Sequence, residues 1–269
     1  MRGANEAGIV LVGCGNMGGA MLRGWLAAGM AAGDVLVADP AAALPTGVRR
    51  LDAAAPPAPP PLLVLAVKPQ KLVDVAPLLG RLVGPQTVVL SVLAAVEFAP
   101  LRRIMPQARA IVRAVPNLPA AIGRGITALV ADADSAALRA QIAPLVAGLG
   151  AVEWLAEEWQ CDAVTAVSGC GPAFLFRFAD ATMAAGRQLG LAPDLVRRLV
   201  VETLRGSAEL LAASGADPAT LAAQVASPGG VMLAGLAVLD EGQAMQALMA
   251  ATLAAANARS EAMAESFRP

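Results

Sequence analysis

The chain has no histidine and no tyrosine, and its only lysines are Lys68 and Lys71. Each absence removes a mechanism. Histidine is the most common general base, and tyrosine and lysine are its usual substitutes. Beyond residue 71 none of the three occurs. Cysteine is nearly as scarce: Cys14, Cys161 and Cys170 show neither metal-ligand spacing nor an even-numbered disulfide framework. They read as reduced thiols of an intracellular protein, so a cytoplasmic location and no metal are expected. Charge is sparse too, with a net value of −1 and no basic run longer than two residues. Such a chain offers no phosphate-tracking surface for nucleic acid. Residues 218–239 carry no charge, but Gln224 and Ser227-Pro228-Gly229-Gly230 interrupt them. A spanning helix needs about 20 mostly apolar residues in sequence, so no membrane segment is expected. Near the first residues, Glu6 and a glycine-rich turn leave no room for a secretory pattern.

What the chain does have is apolar bulk, 57% of its residues, mostly Ala, Leu and Val. That proportion suits closely packed helices and predicts a large subunit interface. In the first half, short apolar runs at 8–12, 35–38, 62–67, 87–92, 109–113, 125–130 and 152–155 alternate with helical patterns at 16–28, 69–82, 96–104 and 135–148. Alternation of this kind predicts a parallel α/β sheet. The tract Pro56-Pro57-Ala58-Pro59-Pro60-Pro61 fits neither helix interior nor central strand, because proline lacks the amide and fixes φ. It reads as a connector into the third strand.

Beyond residue 156 the strand signals stop. Helices are predicted at 157–189, 193–213, 217–225, 229–240 and 242–264. Gly169 to Pro172 predicts a kink in the first, and Asp217-Pro218 reads as a cap followed by proline in the first turn.

The richest motif is Gly13-Cys14-Gly15-Asn16-Met17-Gly18, which follows the apolar run Ile9-Val10-Leu11-Val12 and opens an amphipathic stretch. Strand, GxGxxG and helix in that order predict a dinucleotide site. The first glycine permits the tight turn, the second lets backbone approach the pyrophosphate, and the third lets helix pack on strand. The fold class is therefore α/β plus all-α: a Rossmann-type dinucleotide-binding domain over 1–155 and a helical domain over 156–269. Asp39 stands 21 positions after Gly18. An acid there accepts from the adenosine ribose hydroxyls and repels a 2′-phosphate, which favours NADH over NADPH. Arg49 and Arg50, near in sequence, pull the other way.

A nicotinamide cofactor sharpens the missing bases into an argument. Histidine-based hydroxyacid oxidation and Tyr–Lys carbonyl chemistry are excluded, and a zinc alcohol dehydrogenase lacks its ligands. An imine poses an easier problem: protonated in solution, it accepts hydride without a protein base. A site that orients C=N against the nicotinamide suffices.

Several blocks now align in order. After Val12-Gly13-Cys14-Gly15-Asn16-Met17-Gly18 come Leu65-Ala66-Val67-Lys68-Pro69-Gln70 and Val112-Arg113-Ala114-Val115-Pro116-Asn117-Leu118-Pro119-Ala120. Further on stand Gly123-Arg124-Gly125, Ser168-Gly169-Cys170-Gly171-Pro172 and Ser227-Pro228-Gly229-Gly230. In these blocks the chain resembles the pyrroline-5-carboxylate reductase family over nearly its whole length. The resemblance implies NAD(P)H-dependent reduction of 1-pyrroline-5-carboxylate to L-proline. It also implies dimers through the C-terminal helices, assembled further into rings.

By position, it implies that Gly13, Cys14, Gly15, Asn16 and Met17 hold the pyrophosphate, that Val12 and Gly18 complete this cofactor-binding turn, and that Asp39 and Pro40 flank the ribose. Ala66, Val67, Lys68 and Pro69, with Val92, Leu93 and Ala94, border the nicotinamide. Ser227, Gly229 and Gly230 offer backbone donors to the substrate carboxylate, and Val231 and Met232 complete the substrate site. Three positions depart from the family: Leu118, Val231 and Met232 stand where threonines are usual. Two alternatives follow: a reductase of a less polar cyclic imine, or a cofactor-binding oligomer with little activity. No catalytic acid is assigned.

Overall fold

The computed structural model describes residues 8–54, 56–225 and 230–268. Four apolar runs form the first strands: β1 (Ile9–Val12), β2 (Val35–Ala38), β4 (Leu62–Leu65) and β5 (Val88–Ser91), with the two-residue β3 (Arg49–Arg50) between β2 and β4 in sequence. Longer strands follow, β6 (Ala110–Pro116) and β7 (Gly125–Ala131), and then β8 (Gly150–Trp154). They form one eight-stranded sheet ordered β3-β2-β1-β4-β5-β6-β7-β8. All neighbours are parallel except β6 and β7. That antiparallel pair corrects the expectation of a parallel sheet. Its cause is the short link between the strands, a 3-10 turn over Leu118–Ile122 ended by left-handed Gly123. A parallel return needs a crossover of about a dozen residues or more. β3 was not expected either, since two arginines carry no apolar pattern.

Helices cover both sheet faces, so the inner strands are buried throughout and read as continuous apolar runs. Ile9 and Leu11 face α1 (Asn16–Ala27) and α4 (Ala136–Ala147), where Met21, Trp25 and Ile142 complete a core layer. The Trp25 indole donates to the Leu145 carbonyl at 2.7 Å, so its one polar atom is satisfied inside that layer. Val10 and Val12 face the opposite layer with α2 (Leu72–Leu82) and α3 (Phe98–Ile104), which supply Leu79 and Leu101.

Beyond the sheet, the expected helix over 157–189 is two helices, α5 (Gln160–Val164) and α6 (Gly171–Gln188), joined by a π turn at Thr165–Gly169. The break falls at the glycine pair where a kink was expected. α7 (Pro193–Ser214), α8 (Pro218–Gln224), α9 (Val231–Asp240) and α10 (Ala244–Glu265) follow. Asp217 caps α8 by accepting from the Ala219 amide. Two compact units result: one runs to Cys170 and takes in the segment from Ala255, and the other is Gly171–Ala254. The strand signals stop earlier, after residue 155, because α5 has a helical sequence yet is tied to the first unit. Asp162 there accepts from the Ser260 hydroxyl of α10 at 2.6 Å.

In α6 and α7 the buried side chains are Pro172, Val196 and Val200, while Leu175, Phe176 and Leu210 stay exposed. The two helices nevertheless meet closely: a Cβ on Gly186 would lie 3.0 Å from Val196. Among the described residues, no helix is long and apolar enough to cross a membrane.

Candidate cofactor and substrate site

The carboxyl ends of β1, β2, β4 and β5 form one edge, and the strand order reverses between β1 and β4. In open α/β sheets the crevice at such a reversal is where ligands bind. Backbone hydrogen bonds lace the edge together. The Gly13 amide donates to the Ala38 carbonyl at 3.1 Å, Ala66 to Val12 at 2.8 Å, and Val92 to Leu65 at 3.0 Å. Residues expected to hold the pyrophosphate, flank the ribose and border the nicotinamide therefore share one rim.

The three glycines of the turn have three different surroundings. Gly13 has φ +91°, and a Cβ there would lie 2.7 Å from the Ala66 carbonyl oxygen. At Gly18 a Cβ would lie 2.3 Å from the Gly13 oxygen, so α1 packs directly onto the turn. A Cβ on Gly15 meets nothing within 4 Å. The middle glycine is thus required by no protein neighbour, and the space beside it opens at the start of α1, which has no side-chain cap. First-turn amides without a cap suit an anion. Gly15→Ala is therefore expected to keep its unfolding free energy within about 0.5 kcal/mol. Its dinucleotide affinity should fall about tenfold or more, because the methyl group occupies the pyrophosphate approach. Denaturant unfolding beside a cofactor titration checks both halves.

Asp39 directly follows β2, and its carboxylate is already engaged. Its Oδ2 accepts from the Cys14 amide at 2.8 Å, and its Oδ1 accepts from the Ala41 and Ala42 amides at 3.0 and 3.1 Å. Burial alone would raise this carboxyl. The three amides and nearby Arg50 outweigh it and hold the group below the usual carboxylate range. Asp39 thus braces the glycine turn. Because the folded value is depressed, its stabilisation is complete above the unfolded value of about 3.9 and is lost as pH falls through the lower folded value. Acid unfolding of Asp39→Asn below pH ~4 is expected to be shallower than that of the unaltered chain. Identical acid limbs would show that the carboxylate does no bracing. Burial also raises the Cys14 thiol, as does the Asp39 charge, so it is poorly suited to thiolate chemistry.

Of the residues expected to border the nicotinamide, Lys68 is exposed and precedes a 3-10 turn at Pro69–Lys71, while Ala66, Val67 and Pro69 are half-buried. Leu93 is buried and Ala94 exposed. Ala95 has φ +60°, a left-handed conformation that a non-glycine residue rarely adopts.

Buried charge under this rim escaped the sequence reading. Arg113, on β6, donates to Glu158 at 2.8 Å, and its side chain is only 5% exposed. The same carboxylate oxygen accepts from the Phe98 amide at 2.6 Å, which opens α3. Partners 45 and 60 residues apart leave no periodic signal.

Of the expected substrate residues, Ser227 and Gly229 lie outside the described residues. Gly230 stands just before α9 in extended conformation. Val231 and Met232 open that helix and are exposed. Leu118, the third departure, is also exposed, in the turn between β6 and β7.

This edge, with its glycine turn, defines a Rossmann-type dinucleotide-binding domain. Residues 158–263 match the pyrroline-5-carboxylate reductase dimerisation domain. The chain is 35% identical to a pyrroline-5-carboxylate reductase of Pseudomonas aeruginosa over 96% of its own length and 97% of the relative's. A solved pyrroline-5-carboxylate reductase from Coxiella burnetii superposes with TM-score 0.83 at 26% identity, covering 96% of this chain and 99% of that one. One from Plasmodium falciparum, solved with NADP bound, gives 0.81 at 23% identity, covering 97% and 100%, and shares the fold. The chain belongs to the pyrroline-5-carboxylate reductase family.

Proposed function

We propose that this protein reduces 1-pyrroline-5-carboxylate to L-proline, the closing step of proline synthesis. One observation carries the reading beyond kinship. Packing demands Gly13 and Gly18, whereas Gly15, required by no protein neighbour, leaves the uncapped start of α1 open to an anion. When bound, the reduced dinucleotide supplies the hydride. The chain's own part is to hold the two reactants in line. The Gly13-to-Met17 turn takes the pyrophosphate on the uncapped first-turn amides of α1, since the Gly13 and Cys14 amides already donate to Ala38 and Asp39, and Asp39 and Pro40 flank the ribose. Ala66 to Pro69 and Val92 to Ala94 border the nicotinamide ring. The sequence Ser227-Pro228-Gly229-Gly230 supplies backbone donors for the substrate carboxylate, and Val231 and Met232, which follow it, complete the substrate site. The imine carbon takes the hydride while its nitrogen already carries a proton. No protein acid is then required, in keeping with a chain that has no histidine or tyrosine.

The fixed negative charge of Asp39 supports NADH over NADPH, because a 2′-phosphate would meet it. The exposed apolar side chains of the helical unit, such as Phe176 and Leu210, support self-association into dimers and rings of dimers. Sedimentation is expected to show no monomer at micromolar concentration, and a stable monomer would contradict this. Catalysis is tested by oxidation of NADH and NADPH with 1-pyrroline-5-carboxylate, beside unsubstituted pyrroline and a six-membered imine acid. Turnover should be fastest with the five-membered carboxylate and NADH. Preference for an uncharged imine would instead assign the site to a less polar substrate. Cofactor binding without turnover would make the chain a non-catalytic oligomer.

A further inference from the structure

The segment after α10 returns to the rim. Three backbone bonds coil it back: the Ser266, Phe267 and Arg268 amides donate to the carbonyls of Met263, Ala264 and Glu265. Phe267 then packs on the core layer that contains Leu93, Val96 and Leu101. Arg268 forks onto Glu97, with Nε donating to Oε2 at 2.8 Å and Nη2 to Oε1 at 2.7 Å. The two residues are 171 positions apart, so nothing local forces the meeting. Glu97 is the residue just before α3, two positions after the left-handed Ala95. The next amide, that of Phe98, is held by Glu158.

A strained conformation persists only where its surroundings over-determine it. For Ala95 those surroundings are the buried neighbours Leu93 and Val96 on either side, the Phe98–Glu158 bond, and the fork on Glu97. The turn held in this way carries Val92, Leu93 and Ala94. We propose that Arg268, aided by Phe267, is a positioning residue for the nicotinamide end of the cofactor site. By clamping Glu97 it keeps the 92–95 turn in the shape that meets the ring. The inference rests on the cofactor reading above. It goes further in giving a residue at the far end of α10 a role that acts through another side chain.

The experiment compares two kinds of ligand. NADH and NADPH carry the nicotinamide, whereas ADP-ribose and its 2′-phosphate carry everything up to it. In Arg268→Ala, dinucleotide affinity is expected to fall about three- to tenfold, on the scale of a partly exposed charge-assisted pair. Binding of the nicotinamide-free probes should be unchanged. The turnover number should fall more than KM for the imine rises. Glu97→Gln should reproduce the pattern, and combining the two should add little, because one interaction is lost in both. Arg268→Lys keeps the charge without the planar fork and should rescue part of the loss. Equal weakening of both kinds of ligand would reveal a purely structural role, and no weakening of either would also overturn the proposal. If the unaltered chain binds neither NADH nor NADPH, the cofactor reading itself fails and takes the clamp with it.

Discussion

Gly18→Ala is expected to destabilise the first unit by about 3 kcal/mol, at the upper end of what overpacking costs. The new methyl carbon would stand 2.3 Å from the Gly13 carbonyl oxygen and 3.2 Å from the Ala66 Cβ. Neither neighbour has an easy way out. Gly13 is held by its amide bond to Ala38, and Ala66 by its bond to Val12. The helix would have to lift off the turn, disturbing the core layer beneath Met21 and Leu22. A loss of that size should lower the thermal midpoint by roughly 10 °C for a unit of this length. The comparison with Gly15→Ala separates folding from binding. One glycine is needed by the fold and the other by the ligand. If Gly18→Ala unfolds at the same denaturant concentration as the unaltered chain, the close approach of α1 to the turn is not as described.

Glu158→Ala is expected to cost about as much, near 3 kcal/mol, for an electrostatic reason. Removal of the carboxylate leaves the Arg113 guanidinium with its charge buried and its side chain only 5% exposed. Nε of Arg113 already lacks a hydrogen-bond partner, and Glu97, the other carboxylate that feels its charge, is taken by the fork from Arg268. The Phe98 amide is orphaned at the same time. The double change Arg113→Met with Glu158→Leu removes both charges and should recover part of the loss, as buried pairs replaced by apolar groups often do. Recovery should be incomplete, because the unsatisfied amide alone costs about 1–3 kcal/mol. Denaturant unfolding of the three variants measures each term. A double variant no better than Glu158→Ala would show that the buried charge is not the source of the cost.

Strands buried on both faces are easy to read, because each is an unbroken apolar run. That is why β1, β2, β4 and β5 fell within a few residues of where the sequence put them. Strand direction is less visible. The runs that became β6 and β7 look alike in either sense, and only the short link at 117–124 shows that the chain must turn back. β3 has no apolar residue to announce it.

At the site, the glycine roles were legible because they follow from φ and from space, both properties of the backbone. Asp39 was legible as a position but not as a brace, since its acceptors are taken by amides of Cys14, Ala41 and Ala42. The ties Arg113–Glu158, Asp162–Ser260 and Glu97–Arg268 join residues 45, 98 and 171 apart. No periodic pattern spans such distances, and only the folded chain brings those partners together.

The central claim is that hydride passes from a nicotinamide to the carbon of a cyclic imine on this chain. The most direct measurement supplies cofactor deuterated at the transferring C4 position together with unlabelled 1-pyrroline-5-carboxylate, and locates the label by NMR. The predicted result is L-proline carrying one deuterium at C5, with an equal amount of oxidised cofactor. Cofactor that binds but keeps its deuterium, or proline formed without the label, would contradict it.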